Sequence, residues 1–293
     1  MKTIVTHHYP DVDAVTAVWL VKTFYPDWEE ADIAFVPAGE TLGGKEADSE
    51  ENILHVDTGL GQFDHHQTND RTSAARLVFE YLREAGNLKL GVRHPHHHWN
   101  EKALDRLTMV VVDIDHFGHV DWPNPTADIY DFGLESMLDG WKLLKKEENA
   151  DREVTEWGMR AVDGIYHTFV NKVWAEEEIK TKGILFDTVW GKAIGIETMN
   201  DDTISLAQKQ GCVIAIRKDP HKGYLRVKAR PGSGVDLTPI YNQLKKSDKE
   251  ATWFFHVSKL MILNGSHKNP KMKATTLSLV EVIEIIKESR IRN

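Results

Sequence analysis

The sequence has a single cysteine, Cys212, and no hydrophobic run close to the length of a membrane-spanning helix. A lone cysteine has no disulfide partner within the chain, and about 20 consecutive apolar residues are needed to cross a bilayer. Residues 1–6 also lack the basic, apolar and small-residue regions of a signal peptide. These absences argue against a disulfide framework and predict a cytoplasmic protein without membrane segments.

Internal repeats and low-complexity segments are also missing, which argues against a fibrous or solenoid protein. The chain has 293 residues, enough for two domains of ordinary size, since a domain takes about 100–200 residues. Hydrophobic residues make up 41% of the sequence, a share that is normal for proteins with a buried core. The composition therefore predicts a globular protein of about two domains.

Charge is distributed unevenly around a formal net charge of −9. Residues 181–293 contain 19 Lys and Arg against 11 Asp and Glu, whereas residues 1–180 contain 17 against 34. An acidic half suits cation binding and a basic half suits an anionic substrate, although solvated helices in 146–180 explain much of the acidity. The negative total argues against long duplex nucleic acids, because unspecific duplex binding relies on a broad basic surface.

Short apolar segments alternate with helical patterns in the first 125 residues. The pattern predicts strands at 2–6, 33–36 and 53–56, and helices at 14–25, 73–82 and 102–112. Such alternation is typical of βαβ units and a largely parallel sheet.

Residues 126–182 have a mostly helical pattern, and three tryptophans are expected to pack inside it: Trp141, Trp157 and Trp174. Beyond residue 183 the pattern predicts strands at 184–186, 192–196, 213–217 and 224–229, and helices at 203–210, 237–244 and 277–288. The predicted fold is α/β, with a mostly parallel N-terminal domain, a helical connector and a smaller C-terminal α/β domain. Their ranges are 1–125, 126–183 and 184–293.

Acidic residues and histidines gather where predicted strands and helices end, the position at which open α/β sheets place their ligands. Four segments contribute, namely His7–Asp13, Val56–Gly59, Asp64–His66 and Asp113–His116. Carboxylate and imidazole together suit Mn²⁺, Fe²⁺, Co²⁺ or Zn²⁺. The first segment alone is equally consistent with Asp13 capping a helix, but the four together predict a metal site.

The order of these motifs resembles that of the DHH phosphoesterase superfamily. It runs His-x-x-x-Asp-x-Asp, Val-Asp-x-Gly, Asp-His-His, and then an apolar segment that ends in Asp. Members include RecJ-type exonucleases, oligoribonuclease-like phosphatases, cyclic-dinucleotide phosphodiesterases and family II inorganic pyrophosphatases. Residues 56–67, with a closely spaced Phe-Asp-His-His-Gln, are more similar to MYG-type members. The resemblance covers residues 1–120 and implies a DHH catalytic domain followed by a DHH-associated domain that binds substrate.

The resemblance also implies a site with two divalent ions, of which Mn²⁺ is favoured and Mg²⁺ or Co²⁺ are alternatives. The implied metal ligands are His7, Asp11, Asp13, Asp57, His65 and Asp113. Among them, Asp57 bridges the two ions, and His66 contacts the scissile phosphate or the leaving group. Two ions activate water and stabilise an in-line displacement. The residues alone leave Asp113 and Asp115 open as ligands, with Asp113 favoured by its place at the end of the apolar run.

Candidates for substrate binding lie in the basic C-terminal half. Arg226, Lys228 and Arg230 share one face of the predicted strand at 224–229, and arginine forks suit phosphate oxygens. A solvated sheet face is equally consistent with this pattern. The segment 264–268 is the nearest match to the family's Gly-Gly-His signature. The substrate-binding candidates are therefore Gly265, His267, Lys268, Arg226 and Arg230.

One histidine-rich segment and two single histidines are weaker candidates for site residues. His94–His98 is interpreted as an exposed loop, because consecutive side chains cannot all face one metal. His116 and His119 follow the fourth motif and are secondary candidates for contact with metal or substrate.

The sequence as a whole predicts a divalent-metal-dependent phosphoesterase, a hydrolase with nuclease-like activity. Its expected partners are phosphate-containing small molecules or short single-stranded nucleic acids, and a homodimer is one option. Three alternatives stay open at this point: a pyrophosphatase or other small-molecule phosphohydrolase, a non-catalytic nucleotide sensor with the DHH fold, and a histidine-rich metal-storage protein.

Overall fold

The computed structural model describes residues 1–89, 97–144, 150–266 and 269–289, without the side chains of residues 89 and 97–99. The predicted substrate residues His267 and Lys268, and the side chains of His94–His98, lie outside the described residues. The chain forms two compact units, 1–170 and 171–293. Most of the segment predicted as a connector, 126–183, belongs to the first unit.

The first unit is built on a three-stranded parallel sheet, as the alternating pattern predicted. The strands are β1 (Thr3–His7), β2 (Asp32–Val36) and β3 (Ile53–His55), in the order β2-β1-β3. In the central strand, Ile4 pairs with Ile33 on one side and with Leu54 on the other. Ile4 and Val5 are fully buried, as expected for a central parallel strand covered on both faces.

Helices surround this sheet. They are α1 (Val12–Phe24), α2 (Ala74–Glu84), α3 (His97–Asp115), α4 (Leu134–Leu144) and α5 (Ala150–Lys182), whose last residues belong to the second unit. The helix α1 is buried along almost its whole length and contacts α2 and α3. Its N-cap is Asp11, whose Oδ1 accepts hydrogen bonds from the backbone nitrogens of Asp13 and Ala14. The alternative that Asp13 caps this helix is wrong, because Asp13 lies inside the first turn.

The second unit contains a mixed six-stranded sheet in the order β4-β5-β6-β7-β9-β8. The strands are β4 (Ile184–Thr188), β5 (Gly191–Glu197), β6 (Ile214–Lys218), β7 (Leu225–Ala229), β8 (Phe254–Phe255) and β9 (Met261–Asn264). Only β5 and β6 pair in parallel among the described strands of this sheet. The predicted strands at 184–186, 192–196, 213–217 and 224–229 are confirmed, while β8 and β9 were not predicted.

Helices cover both faces of this second sheet: α6 (Asp202–Lys209), α7 (Thr238–Ser247) and α8 (Leu279–Glu288). Ile216 and Val227 pack in one core cluster with residues of α7 and α8. Ile194 and Ala215 pack with α6 in another cluster. Neighbouring residues of β6, Ala215 and Ile216, thus belong to different clusters because successive side chains of a strand point to opposite faces. In the part of the chain described, no helix combines the length and apolar character needed to span a membrane.

Candidate metal centre

The predicted ligands converge at one edge of the parallel sheet in the first unit. His7 is the last residue of β1, and Asp57 follows two residues after the end of β3. Because neighbouring parallel strands end at the same edge, the two side chains meet there, with His7 Nε2 3.2 Å from Asp57 Oδ2. The ring of His7 is held from its other side, where Nδ1 lies 2.8 Å from the carbonyl oxygen of His8.

A tight loop turns Asp57 into the site. Its φ of +57° lies in the left-handed region, and its backbone nitrogen donates to the carbonyl of Phe63 at 2.9 Å. Gly59 has a φ of +79°, and a Cβ there would lie 2.9 Å from Thr41. Asp64 completes the loop by accepting a hydrogen bond from the backbone nitrogen of Leu60 at 2.7 Å. The loop therefore has little freedom, and the Asp57 carboxylate is fixed in a buried position, 3% exposed.

The Asp57 carboxylate lies between two histidines. Its Oδ2 faces His7, and its Oδ1 lies 3.4 Å from His65 Nε2. Burial opposes ionisation of this carboxyl, but the two histidines outweigh burial and lower its pKa. Asp57 is thus ionised and presents one oxygen to each histidine, which is the arrangement expected of a bridging metal ligand.

His65 Nε2 is the centre of a ring of carboxylates. Besides Asp57, it faces Asp115 Oδ2 at 3.6 Å and Asp13 Oδ2 at 3.7 Å. These separations exceed the 2.7–3.2 Å of an N–H···O hydrogen bond. Among the described residues, His65 Nε2 and Asp57 Oδ1 are buried atoms without a hydrogen-bond partner. Ligands bound to one ion at about 2.0–2.2 Å lie roughly 3–3.6 Å apart, so the spacing around His65 Nε2 fits a shared ion.

Asp13 joins this ring while fixing a helix. Its two oxygens accept hydrogen bonds from the backbone nitrogens of Ala74 and Ala75, at 2.7 and 2.8 Å. These nitrogens open α2, where the helix leaves its first N–H groups without internal partners. Burial, together with the charges of Asp57 and Asp11, raises the pKa of Asp13 well above its usual range. A nearby cation would therefore favour the ionised form of Asp13.

Asp115, and not Asp113, lies with the ring of carboxylates. The two oxygens of Asp113 accept hydrogen bonds from Arg71 Nη2 at 2.6 Å and from Trp122 Nε1 at 2.8 Å. Both aspartates belong to α3, and residues two apart on a helix do not face the same way. The choice of Asp113 as a ligand is therefore corrected to Asp115.

His66 has a different environment from its neighbour His65. Its side chain is 58% exposed, and Nδ1 lies 2.7 Å from Oδ1 of the buried Asp64. The same Asp64 oxygen accepts a hydrogen bond from the backbone nitrogen of His66 at 3.0 Å. Asp64 therefore orients the ring, and with Nδ1 as donor the other nitrogen, Nε2, can meet a substrate. This role of Asp64 was not predicted from the sequence, although a carboxylate two residues before a histidine can form such a local bond.

The ligand atoms form groups within 4.8 Å on both sides of Asp57. One group consists of His7, Asp11 and Asp57, and two others consist of Asp57, His65 and His66 and of His65, Asp115 and His116. His116 was a secondary candidate in the sequence, and its Nε2 lies 2.8 Å from the carbonyl oxygen of Thr72. The predicted ligands other than Asp113 are thus brought together around Asp57.

A cavity of about 440 Å³ opens onto this cluster. It is lined by Asp11, Val12, Asp13, His65, His66, Ile114, Asp115, His116, Phe117 and Glu135. No lysine or arginine of the described chain is among these residues. Burial raises the pKa of Asp115 and of Glu135, and neighbouring carboxylates add to both shifts. A bound cation would favour the ionised form of these crowded carboxylates, and carboxylate oxygen with imidazole nitrogen suits divalent ions. Glu135 was not predicted as a site residue, because it lies in the segment that the sequence predicted to be a helical connector.

The structure describes three of the predicted substrate residues of the second unit, namely Arg226, Arg230 and Gly265. Arg226 Nη1 lies 3.1 Å from Asp201 Oδ1, an oxygen that the buried Arg217 also contacts at 3.1 Å. Arg230 is exposed beyond the end of β7. Gly265 has a φ of +88°, and a Cβ there would overlap the ring of Tyr224. Arg226 is therefore neutralised within its own unit, which weakens the case for it as a phosphate anchor.

Comparison of the chain with protein-family models and with curated proteins finds no match. The resemblance to DHH phosphoesterases therefore rests on the motifs in the sequence, and it stays a prediction.

Proposed function

We propose that this protein is a divalent-metal-dependent phosphoesterase that hydrolyses phosphodiester or phosphomonoester bonds of nucleotides or short single-stranded oligonucleotides. One observation supports this above all: the Asp57 carboxylate lies between His7 and His65, with one oxygen toward each. A shared carboxylate is what a pair of divalent ions needs to be held close together. The buried His65 Nε2, which has no hydrogen-bond partner among the described residues, is a second observation that fits a cation at this position.

The residues divide into two ligand sets. His7 and Asp11 would hold one ion with Asp57, and the other ion would be held by Asp57 together with Asp13, His65 and Asp115. The mixture of carboxylate and imidazole favours Mn²⁺ over Mg²⁺. When bound, two such ions supply Lewis-acid activation of water and stabilise charge during displacement at phosphorus.

His66 is the residue of this chain best suited to the leaving group. It lines the cavity, its ring is accessible, and Asp64 fixes the proton on Nδ1. With Nδ1 directed at Asp64, Nε2 is the ring nitrogen that would donate a proton to the oxygen that leaves phosphorus, which is general acid catalysis.

Hydrolysis of a defined panel tests this proposal. The panel consists of bis-p-nitrophenyl phosphate, pyrophosphate, a cyclic dinucleotide, and short single-stranded DNA and RNA, each with Mn²⁺ and with a chelator. We expect Mn²⁺-dependent turnover of a phosphodiester, and a fall on the order of 100-fold or more in Asp57→Asn because both ions lose a ligand. Asp105→Asn is the matched control, since Asp105 lies on α3 and pairs with Arg76.

The outcomes separate the alternatives. Preference for pyrophosphate would favour the small-molecule phosphohydrolase. Mn²⁺ binding without turnover of any member would contradict the enzyme and favour a sensor. Equal activity in Asp57→Asn and Asp105→Asn would exclude the cluster as the source of the activity.

A further inference from the structure

Phe117 is an exposed aromatic residue that lies beside the candidate metal ligands. Its side chain is 73% exposed, and it lines the cavity together with His65, His66 and Asp115. Its φ of +57° lies in the left-handed region, which bulky residues rarely occupy because Cβ crowds the backbone. Exposure of a large apolar ring and a left-handed backbone are both unfavourable for phenylalanine.

The neighbouring contacts force Phe117 to project outward. Before it, His116 Nε2 is held by the carbonyl of Thr72, and the Phe117 nitrogen donates to Ile114 at 2.9 Å. After it, Gly118 packs so closely on Asp113 that a Cβ would overlap the carboxylate. Because Asp113 is itself held by Arg71 and Trp122, the chain must turn at Phe117. The structure therefore fixes the ring at the cavity wall and leaves its surface accessible.

We propose that Phe117 is a stacking platform for a nucleobase of the substrate whose phosphate lies at the metal cluster. This inference rests on the proposed function and narrows its substrate to a nucleotide or an oligonucleotide. A base stacks on an aromatic ring whatever its hydrogen-bonding edge, so one exposed ring suits substrates of varied sequence. Pyrophosphate has no ring and would gain nothing from Phe117.

Two other exposed aromatic residues of the first unit serve as comparisons. Phe132 is 87% exposed and Tyr9 is 74% exposed, but neither lines the cavity. Tyr9 also has a left-handed backbone, with a φ of +54°, and its nitrogen is bound by Asp151 Oδ1 at 3.0 Å. Exposure alone therefore does not distinguish Phe117, whereas its place in the cavity wall does.

Binding of a fluorescent dinucleotide tests this inference without requiring turnover. The probe carries 2-aminopurine and a non-hydrolysable linkage. Its abasic counterpart lacks the ring and is not fluorescent, so its binding is measured by competition with the probe. With Mn²⁺ present, we expect the wild-type protein to quench the probe, and Phe117→Ala to bind it roughly 5- to 150-fold more weakly. Phe117→Leu, which is apolar but not flat, should behave like Phe117→Ala, while Phe117→Trp restores binding. The control variant Phe132→Ala should match the wild type.

The abasic probe and the hydrolysis panel separate the two proposals. The stacking role is excluded if Phe117→Ala weakens the binding of both probes equally or of neither. It is also excluded if the wild type binds no probe. Either result excludes it even where hydrolysis persists. If the wild type hydrolyses nothing but its quenching depends on Phe117, the phosphoesterase fails and the base contact stands. A selective loss for the base-containing probe, with Mn²⁺-dependent hydrolysis, supports both.

Discussion

Asp57 is a buried carboxylate on a left-handed backbone, and both properties follow from the loop that carries it. A left-handed conformation costs roughly 1 kcal/mol or more for most residues, although aspartate tolerates it better than β-branched ones. The bond from its backbone nitrogen to Phe63 maintains the conformation. The result is a carboxylate whose two oxygens face two different histidines.

Two aspartates near the end of α3 provide the sharpest test at the residue scale. We expect Asp115→Asn to lower the affinity for Mn²⁺ roughly 10- to 100-fold, because Asp115 faces His65 at 3.6 Å. Asp113→Asn should change the affinity far less, since its carboxylate is bound to Arg71 and Trp122. Calorimetric titration with Mn²⁺ measures both variants, and a larger loss in Asp113→Asn would contradict the assignment.

The sequence could not decide between these two aspartates for a physical reason. Both follow the apolar run 110–112, so both are compatible with a buried segment that ends in a carboxylate. The rotation of α3 about its axis decides which one faces His65, and this rotation depends on packing against α1 and α2. By contrast, His7 and Asp57 were predictable, because each follows a strand of the same parallel sheet.

At the scale of elements, a buried pair ties the loop of Asp57 to the rest of the first unit. His55, on β3, is 2% exposed, and its Nδ1 lies 3.0 Å from Asp48 Oδ1. Its Nε2 accepts a hydrogen bond from the nitrogen of Leu42 at 3.1 Å. The other Asp48 oxygen accepts from the nitrogen of Gln62 at 3.2 Å. This pair joins the segment before β3 to the loop between Asp57 and Asp64, and it was not predicted from the sequence.

We expect His55→Leu to reduce the free energy of unfolding by about 1–3 kcal/mol, because the nitrogen of Leu42 loses its acceptor and Asp48 Oδ1 loses its contact with the ring. The affinity for Mn²⁺ should fall as well, since the loop also carries Asp57. Urea unfolding followed by Mn²⁺ titration measures both effects.

Two further variants serve as comparisons for this loss of stability. Asp48→Asn keeps an oxygen for one of these two contacts and leaves the bond between Leu42 and His55 in place, so its loss of stability should be smaller. Glu51→Ala changes an exposed residue of the same region and should match the wild type. If His55→Leu is as stable as the wild type, the pair of His55 and Asp48 does not hold the loop in place.

For the whole molecule, the acidic excess of the first half and the basic excess of the second half correspond to different arrangements of charged side chains. In the first unit, carboxylates from α1 and its N-cap, from α3 and from α4 line one cavity, so acidic side chains are concentrated where a cation can bind. In the second unit, Arg217 and Arg226 share Asp201, so counting basic residues overstates the charge available to an anion. Sequence counts capture the first case and miss the second, because tertiary pairing decides which charges are neutralised.

Stabilisation by Mn²⁺ should therefore depend on pH. The carboxylate of Asp57 outweighs burial and raises the pKa of His7 to about 9, and Asp57, with Asp115 and Asp13, raises the pKa of His65 to about 9. Both rings are thus protonated at pH 6, and a divalent ion must displace these protons to bind. As the pH rises toward 9 the displacement becomes easier, so the affinity for Mn²⁺ increases with pH.

Calorimetric unfolding of the full chain, with Mn²⁺ or with a chelator, measures this linkage. A ligand present at 100 times its Kd stabilises the folded state by about 2.7 kcal/mol, so we expect Mn²⁺ to raise the Tm of the first unit. The increase should be larger at pH 8 than at pH 6 and should be strongly reduced in Asp57→Asn. An increase that is equal at both pH values, or unchanged in Asp57→Asn, would mean that the ion binds elsewhere. In that case the convergence of His7, Asp57 and His65 would have to be explained by their mutual ion pairs alone.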